Sequence, residues 1–483
     1  MIRTMPATRL VVLLGDWRSS PSPVRRPLAD LLSTALRALV VDGRVPVGVR
    51  LPADRDLATA LGVSRGVASA AYDRMREEGL LERRVGAGSF TALPVDSPLP
   101  AGAWGPRTGG GPDVVDLTMA SLPAPPTAML AAVAEANELL PAHLGSSGYD
   151  LLGLPELRAA IADRYTSLGA PTTPEQVLVT TGGQAALDLL ARTVLTPGDT
   201  ALVEVPTYPN ALDSLRTARA RLHPVPVDGA EGWDPVMLVD ALRRGPRLAY
   251  LVPDFHNPTG AVMPDDVRAR VLDASRRSGT VTVVDEAMAD LVLDGPEPAR
   301  TARLDARGQL VSVGSLSKSV WGGLRTGWLR ADPSLVRRVA EVRAVSDMGP
   351  PILGQLVALA LLRRLDGVVA DRRELLRPRR DALVAALAER LPAWRTRVPR
   401  GGMSLWVALD APGSTALAAA APDAGLRLAP GPRFGIDGAF DRFVRLPFTP
   451  PEPVLVDAVD RLAGLWGSVV GGFRPPVGSR ILV

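Results

Sequence analysis

One lysine stands among the 55 basic residues of this 483-residue chain, and the other 54 are arginines. A guanidinium stays protonated, whereas a lysine amine can lose its proton and attack a carbonyl carbon. This lysine, Lys318, follows Ser315 and Ser317 and precedes Arg325. Hydroxyl groups and a guanidinium are suitable ligands for a phosphate. The residues around Lys318 would suit an amine that forms an imine with a carbonyl compound carrying a phosphate, and the alternative is a surface lysine retained by chance.

Two other kinds of site lack their ligands in this sequence. Cysteine is absent, so the chain can form no disulfide bond, no thiolate nucleophile and no thiolate metal site. The three histidines, His143, His223 and His256, are scattered along the sequence, which argues against a zinc site built on histidine. We therefore predict no metal site.

Short apolar runs alternate with helical patterns in the sequence after about residue 113. The runs are QVLVTT, TALVEV, LAYLVP, GTVTVVDE and QLVSVGS. Strands separated by crossover helices predict an α/β domain with a mainly parallel sheet, whose functional residues follow the carboxyl ends of the strands. Lys318 follows the last of these runs. From about Val342 helices dominate, and the short strands SLWVAL and RFVRLPF predict a smaller α+β subdomain.

The Ser-x-Ser-Lys sequence with its following arginine resembles the cofactor loop of fold-type I aminotransferases. In that family a lysine holds pyridoxal 5'-phosphate as a Schiff base, which implies this role for Lys318, with Ser315, Ser317 and Arg325 near the phosphate. The resemblance implies roles for residues of four more segments: Asp285 at the pyridine nitrogen, Asn257 at the phenolic oxygen, Gly183 and Gln184 at the phosphate, and Tyr208 stacked on the ring. Each of these features also has a purely structural explanation when it is taken singly: a strand-end aspartate, an Asn-Pro turn, a Gly-Gly turn or a core tyrosine.

The same resemblance assigns two further residues. Tyr149, in GYDLLGLPELRAAIA, resembles a residue that reaches the phosphate bound to the neighbouring subunit, which implies a homodimer. Arg445, in RFVRLPFT, resembles the arginine that binds the α-carboxylate of a substrate or effector through two hydrogen bonds. With so many arginines in the chain, a structural role is the alternative for Arg445.

The sequence departs from this family two and three residues after the aspartate. The family usually has a tyrosine there that hydrogen-bonds the phenolic oxygen of the cofactor, whereas this chain has Ala287 and Met288. Asn257 alone would then hold that oxygen. We therefore expect weak or no transaminase activity, with cofactor binding retained.

The first 92 residues carry the excess positive charge of the chain. They contain 14 arginines against 9 acidic residues, whereas the rest of the chain is close to neutral. A basic segment ahead of a neutral domain indicates an anionic partner, and nucleic acid is the first candidate. Helical patterns over residues 28–41 and 54–61 precede a third helix, which Ser64 caps and Gly79 ends.

This third helix is the candidate recognition helix of a helix-turn-helix. Ser64 and Arg65 at its N-terminal end, and Ser69 on its outer side one turn further along, are candidates for DNA contacts. The following sequence, LLERRVGAGSFTA, predicts two short strands around a glycine turn. Such a wing would bring Arg83 and Arg84 within reach of phosphates.

The sequence from LPADRDLATALGVSR to AYDRMREEGLLERRVGAGSF resembles the winged helix-turn-helix of GntR-type transcription factors. The resemblance implies DNA contacts by Arg55, Arg65 and Gly88. Ala53 stands where the family usually has a serine that caps the helix, so a helix cap and a candidate phosphate contact are missing. A basic helical bundle that contacts another protein is the alternative.

A winged helix-turn-helix joined by a linker to an aminotransferase-like domain is the arrangement of MocR-type transcriptional regulators, which the chain resembles over nearly its whole length. We predict a DNA-binding domain over residues 1–92, a Pro/Gly-rich linker over 93–113, an aminotransferase-like domain over 114–470 and an irregular tail over 471–483. The resemblance implies binding to a double-stranded DNA operator under the control of an effector, which is an amino acid, an amine or pyridoxal phosphate itself. The alternative is an active aminotransferase with an appended DNA-binding domain.

The N-terminal apolar run, residues 10–14, is too short for a signal-peptide core or a membrane span. Arg9 and Asp16 bound this run, and it lacks a small-residue cleavage site. We therefore expect a cytoplasmic protein that has no membrane partner.

Overall fold

The computed structural model describes residues 4–18, 27–42, 44–45, 47–84, 87–92, 114–305, 310–436 and 438–472. The predicted linker over 93–113 and residues 473–483 of the predicted tail lie outside the described residues. None of the helices within these ranges is long and apolar enough to cross a membrane.

The N-terminal part of the chain folds as a helical unit with a two-stranded wing, here called the winged helix unit. Its elements are α1 (Ala7–Leu14), α2 (Leu28–Val41), α3 (Asp54–Leu61), α4 (Arg65–Glu77), β1 (Leu81–Arg84) and β2 (Gly88–Thr91). Helices α2 to α4 and the two strands lie where the sequence patterns predict them. Helix α1 was not predicted, because it is short and begins after Pro6 without a side-chain cap.

Local signals define the turn between α3 and α4. Gly62 ends α3 in the left-handed conformation at φ 64°, and the Ser64 hydroxyl accepts a hydrogen bond from the Val67 amide. The buried Tyr72 of α4 donates a hydrogen bond of 2.9 Å to the Pro52 carbonyl, just ahead of α3. These contacts fix the orientation of α4, the candidate recognition helix.

The large domain is built on one mainly parallel sheet. In chain order its elements are β3 (Val115–Asp116), α5 (Pro126–Leu139), α6 (Pro155–Ser167), β4 (Val177–Thr180), α7 (Gly183–Val194), β5 (Thr200–Val205), α8 (Pro209–Thr217), β6 (Arg221–Asp228), β7 (Gly232–Trp233), α9 (Pro235–Arg243), β8 (Leu248–Leu251), α10 (Asp265–Ser278), β9 (Val281–Asp285), β10 (Leu310–Ser315), α11 (Leu316–Ser319), β11 (Gly327–Arg330) and α12 (Pro333–Arg343). The strand order is β4-β11-β10-β9-β8-β5-β6-β7. Strands from β10 to β6 run parallel, and β11 is antiparallel to its neighbours β10 and β4. The predicted α/β fold class is confirmed.

Helices cover both faces of this sheet. Neighbouring residues of β5 point to opposite faces, as the pleat of a strand requires. Val203 packs in one cluster with Leu190 of α7, whereas Leu202 packs in another with Leu242 of α9 and Val271 of α10. Apolar side chains on both faces explain why the parallel strands are continuous apolar runs in the sequence.

A smaller α+β subdomain follows the large domain. Its elements are α13 (Ile352–Leu362), α14 (Leu365–Arg390), β12 (Arg395–Thr396), β13 (Ser404–Ala408), α15 (Ser414–Ala420), β14 (Leu426–Arg427), β15 (Ala429–Pro430), β16 (Phe443–Pro447) and α16 (Glu452–Gly472). Strands β12, β13, β16 and β15 form an antiparallel sheet in that order, and β14 pairs in parallel with β3. The short strands predicted from SLWVAL and RFVRLPF are β13 and β16.

The winged helix unit contacts the rest of the chain through α1, through the end of α2 and through Arg44, whose Nε lies 3.8 Å from Asp228 Oδ2. Arg9 of α1 forms an ion pair of 2.6 Å with Asp234, which caps α9. The Phe440 amide of the subdomain donates a hydrogen bond of 2.8 Å to the Val41 carbonyl, the last of α2. A cavity of about 510 Å³ lies beside the Arg9 pair and is lined by residues of both units. The contact between the two units is therefore loosely packed.

Replacing Ala53 with serine should stabilise the winged helix unit. Helix α3 begins without a side-chain cap, although Ala53 already has the extended backbone of an N-cap at φ −60° and ψ 149°. A serine at an N-cap is worth roughly 0.5–2 kcal/mol relative to alanine. In thermal unfolding of the full chain, Ala53→Ser should raise the midpoint of the transition of this unit and Ser64→Ala should lower it. An unchanged midpoint in Ala53→Ser would contradict this explanation.

Candidate functional site

Lys318 lies on α11, directly after β10 at the carboxyl end of the parallel sheet. The residue is half-buried, and its Nζ donates a hydrogen bond of 2.7 Å to the Ala120 carbonyl. Desolvation and the guanidinium of Arg445 lower the pKa of Lys318 to about 8, with a smaller contribution from Arg325 and opposition from Asp285. This environment differs from that of a surface lysine, because it makes the neutral amine accessible near neutral pH.

Asp285 ends β9, the neighbour of β10 in the sheet, and its carboxylate is held from two sides. The Tyr250 hydroxyl donates to Oδ2 at 2.7 Å, and the Ala287 amide donates to Oδ1 at 2.9 Å. Burial raises the pKa of Asp285, against the opposing effect of these hydrogen bonds and of Lys318. Tyr250 of β8 was not predicted as a site residue. Its one signal in the sequence is a hydroxyl-bearing side chain within the apolar run LAYLVP.

The start of α7 and the side chain of Arg325 form a candidate anion site. Gly182, at φ 90°, precedes α7, and the first amide groups of a helix have no acceptor within it. Arg325 Nη2 donates to the Thr181 carbonyl at 2.7 Å. The backbone conformation of Gly182 requires glycine, and a Cβ there would lie 2.9 Å from this nitrogen, so it would displace the Arg325 guanidinium.

The predicted hydroxyl groups lie in the turn between β10 and α11. Ser315 Oγ donates to Ser317 Oγ at 2.9 Å and accepts a hydrogen bond from the Ser317 amide. The buried Ser319 hydroxyl, which the sequence argument did not include, has no hydrogen-bond partner among the described residues. Gln184 uses its side-chain amide to donate to the Ser214 hydroxyl at 2.8 Å. A contact of Gln184 with a phosphate would therefore come from its backbone amide in the first turn of α7.

Tyr208 ahead of α8, Asn257 after β8 and Arg445 of β16 supply the remaining predicted side chains of the site. Arg445 Nη1 lies 3.5 Å from Asn257 Oδ1, and its guanidinium carbon lies 5.0 Å from the centre of the Phe434 ring. Desolvation lowers the pKa of Arg445 to about 10, which leaves it charged at neutral pH. Burial and the charge of Asp285 raise the pKa of Tyr208 to about 12. A buried guanidinium of this kind is suited to bind a carboxylate.

The structure brings together the predicted cofactor residues of this chain except one. Lys318 and Tyr208 both interact electrostatically with Asp285, Arg325 and Arg445. The exception is Tyr149, whose side chain is 70% exposed. A residue that reaches a neighbouring subunit has to be exposed on its own chain, so the role of Tyr149 stays a prediction.

The two residues that depart from the family pattern supply no hydroxyl. Ala287 contributes its backbone amide to Asp285. Met288 is buried in an apolar cluster with Phe255 and Leu291. Within the described ranges, no group of histidine and acidic residues could hold a metal ion.

The predicted DNA contacts of the two helices lie at the starts of α3 and α4. The side chains of Arg55 and Arg65 are 80% and 72% exposed, and Ser69 is partly exposed one turn further along α4. Arg65 Nε donates to Asp54 Oδ2 at 3.0 Å, which lowers the pKa of Asp54 and joins the first turns of the two helices. The Ser64 hydroxyl caps α4.

The wing presents two further arginines beside these helices. Strands β1 and β2 are antiparallel, with Arg83 opposite Ser89 and Arg84 opposite Gly88. Arg83 is exposed, whereas the Arg84 guanidinium lies 4.4 Å from the centre of the Phe90 ring. Gly88 has φ 105°, and a Cβ there would lie 2.8 Å from an Arg50 nitrogen, so the wing itself requires this glycine. Residues 85–86 of the turn lie outside the described residues.

A model of the family "Aminotransferase class I and II" matches residues 113–462, and a model of "Bacterial regulatory proteins, gntR family" matches residues 28–91. The "Probable rhizopine catabolism regulatory protein MocR" of Rhizobium meliloti is 31% identical over 409 residues, which cover 78% of this chain and 80% of the relative. This chain belongs to the MocR-type transcriptional regulators. Its winged helix unit is a GntR-type DNA-binding domain, and its large domain has the aminotransferase fold.

The MocR-type regulator has further relatives of both kinds. The "Uncharacterized HTH-type transcriptional regulator YisV" of Bacillus subtilis is 28% identical and covers 82% of this chain and 86% of the relative. The structure of LysN, an α-aminoadipate aminotransferase of Thermus thermophilus complexed with N-(5'-phosphopyridoxyl)-L-leucine, matches with a TM-score of 0.69 at 27% identity. That match covers 74% of this chain and 94% of LysN.

Pyridoxal phosphate is the cofactor of the large domain of this MocR-type regulator. The cofactor supplies an aldehyde and an electron-withdrawing pyridine ring. The site fits this group: it offers a desolvated amine on Lys318, a buried carboxylate on Asp285, and a helix start with Arg325 for the phosphate. The unpartnered Ser319 hydroxyl is a further candidate ligand.

Loading of the apo-regulator with pyridoxal phosphate should accelerate as the pH rises through about 8. Below the pKa of Lys318, which is lowered from 10.5 to about 8, the amine is protonated and does not attack. Arg445→Gln removes a charge that lowers this pKa, so the midpoint of the pH profile should move upward in stopped-flow measurements. Arg83→Gln on the wing is the matched control and should keep the wild-type midpoint. Equal midpoints in the two variants would rule out this electrostatic explanation.

Proposed function

We propose that this regulator is a homodimer that senses an effector with its pyridoxal phosphate site. Pyridoxal phosphate bound at Lys318 and a carboxylate bound at Arg445 would together set how the dimer presents its two winged helix units to DNA. The observation that supports this most is the half-buried Lys318, with its lowered pKa, in the same chain as a GntR-type domain. Because its partner is DNA, we expect the regulator in the cytoplasm.

The site supports binding of an effector better than rapid turnover. Ala287 and Met288 supply no hydroxyl for the phenolic oxygen of the cofactor, and the Tyr250 hydroxyl is engaged by Asp285. The buried guanidinium of Arg445 favours an effector that carries a carboxylate, such as an amino acid, over a simple amine. Pyridoxal phosphate itself remains the second candidate effector.

An exposed apolar surface supports the proposed dimer. Large side chains that are unusually exposed occur on α5, after α5, ahead of α13 and at the start of α13: Leu130 at 73%, Leu144 at 71%, Tyr149 at 70%, Val345 at 81% and Leu353 at 44%. Two of these segments meet, since a Cβ on Gly148 would lie 3.9 Å from Ile352. Exposed apolar patches of this kind mark protein contacts. A second copy that covers this surface would bring Tyr149 towards the neighbouring site.

Titration of DNA binding with candidate effectors tests this function. The loaded regulator should bind DNA from upstream of its own gene, and Arg65→Gln should weaken this binding by at least about fivefold, the lower limit for loss of a base contact. Pyridoxal phosphate is added first, and single amino acids follow. A response to an amino acid that Arg445→Gln abolishes would support a carboxylate effector, and a response to the cofactor alone would support the second candidate.

Two results would overturn the proposal. The first is no affinity for this DNA with or without pyridoxal phosphate. The second is steady turnover of amino acids with a 2-oxo acid acceptor that Lys318→Ala abolishes, in a protein whose DNA binding responds to no effector. That second result would favour an aminotransferase with an appended DNA-binding domain.

A further inference from the structure

The last turn of α2 is completed by residues of the C-terminal subdomain. The final carbonyl groups of a helix have no donor within the helix. The Phe440 amide donates to the Val41 carbonyl at 2.8 Å, and Arg442 Nε lies 3.4 Å from Asp42 Oδ1. Burial raises the pKa of Asp42, and the charge of Arg442 is the main opposing effect. The end of α2 is therefore held by Phe440 and Arg442 of the subdomain, beside the Val45 amide of its own unit, which donates to the Leu39 carbonyl at 2.9 Å.

Phe440 has an unusual backbone conformation at this contact. Its φ is 76°, in the left-handed region that bulky residues rarely adopt. The Phe440 carbonyl accepts a hydrogen bond from the Phe443 amide at 2.8 Å, and a Cβ on Gly431 would collide with that carbonyl. Such conformations persist where several contacts hold them and are frequent in switch regions. The hydrogen bond to Val41 is one of the contacts that hold Phe440.

The Phe440 side chain belongs to a group of four aromatic rings, here called the aromatic cluster. Its members are Phe434, Phe440, Phe443 and Trp406. The Trp406 ring stacks on Phe443 at 5.1 Å and meets the edge of Phe434 at 5.5 Å, and Phe440 lies 6.1 Å from both Trp406 and Phe443. Closely packed side chains in a protein interior transmit strain to one another. The cluster therefore connects Phe440 to Phe434.

Phe434 contacts Arg445, which is proposed to hold the ligand carboxylate, and the backbone next to Tyr208, which is proposed to stack on the cofactor ring. Its ring lies 5.0 Å below the guanidinium carbon of Arg445. Its carbonyl accepts a hydrogen bond of 2.8 Å from the amide of Thr207, the residue before Tyr208. Arg445 is also the direct partner of Trp406 in the pairing of β16 with β13. Arg445 therefore joins the candidate carboxylate site directly to the aromatic cluster.

The part of the contact around the Arg9 pair leaves room for movement between the two units. Val12 and Val236 line the cavity beside the ion pair of Arg9 with Asp234, and they are 66% and 60% exposed. Loosely packed contacts between domains permit relative motion. The Arg9 pair joins α1 to α9 and touches neither Phe440 nor Arg442, so it offers a matched comparison within the same interface.

We propose that the contact of Val41 and Asp42 with Phe440 and Arg442 transmits occupation of the Arg445 site to the DNA-binding unit. A carboxylate at Arg445 competes with the contact of its guanidinium to Asn257 and displaces it over Phe434. The aromatic cluster transmits this displacement to Phe440, and the hydrogen bond from the Phe440 amide to the Val41 carbonyl of α2 then changes. This proposal rests on the proposed function and adds the residues through which the ligand acts.

The experiment compares four full-length proteins loaded with pyridoxal phosphate: wild type, Arg442→Gln, Asp42→Asn and Arg9→Gln. Each is titrated with DNA from upstream of its own gene, without ligand and with each of the twenty amino acids in turn. Ligand binding is followed separately by the near-visible absorbance of the bound cofactor. Asp42→Asn breaks the same ion pair by changing the residue in the winged helix unit instead of the one in the subdomain. If both variants lose the ligand effect, a folding defect specific to Arg442→Gln cannot be the cause.

An amino acid should change the DNA affinity of wild type and Arg9→Gln by at least about fivefold, the lower end of ordinary allosteric coupling. In Arg442→Gln and Asp42→Asn the change should fall below twofold, while the absorbance shows that the same amino acid still binds. An undiminished ligand effect in these two variants overturns the proposal, as does equal loss in Arg9→Gln. A wild type that binds DNA but responds to no amino acid also overturns it. A wild type that binds no DNA instead refutes the proposed function.

Discussion

The chemistry of the large domain depends on keeping one amine neutral in a site that also needs positive charge. Arg325 and Arg445 are placed for a phosphate and a carboxylate, and with desolvation they lower the pKa of Lys318 to about 8, while Asp285 opposes them. An arginine at position 318 would add a third permanent charge and could not lose its proton. A chain that otherwise uses arginine for every basic residue thus keeps lysine where proton loss is required.

The parts of the site that could be predicted are those that follow directly from strand ends. Buried parallel strands are apolar on both faces, so β9 and β10 stand out in the sequence, and Asp285 and Lys318 follow them. Tyr250 could not be predicted in the same way, because an aromatic residue inside an apolar run looks like core. Its hydroxyl reaches Asp285 only because β8 pairs with β9 in a register that places Tyr250 beside Val283.

Contacts between distant parts of the chain are the features that the sequence could not predict. The Gly-Gly turn before α7 indicates an anion site, but only the packing of α8 shows that the side chain of Gln184 is engaged by Ser214. The bond between Phe440 and Val41 joins residues from opposite ends of the chain, and neither carries a motif. The winged helix unit was predicted from its caps and turns, whereas its attachment to the aromatic cluster depends on tertiary packing.

The near-visible absorbance of the protein loaded with pyridoxal phosphate tests the central assignment most directly. Lys318 is the only lysine of the chain, so no other lysine side chain can take its place. Wild type should show a band that free cofactor lacks, and Lys318→Ala and Lys318→Arg should both lack it, although Lys318→Arg keeps the positive charge. A wild-type band in Lys318→Arg would contradict the account, because the cofactor would then be held without the amine on which the site is built.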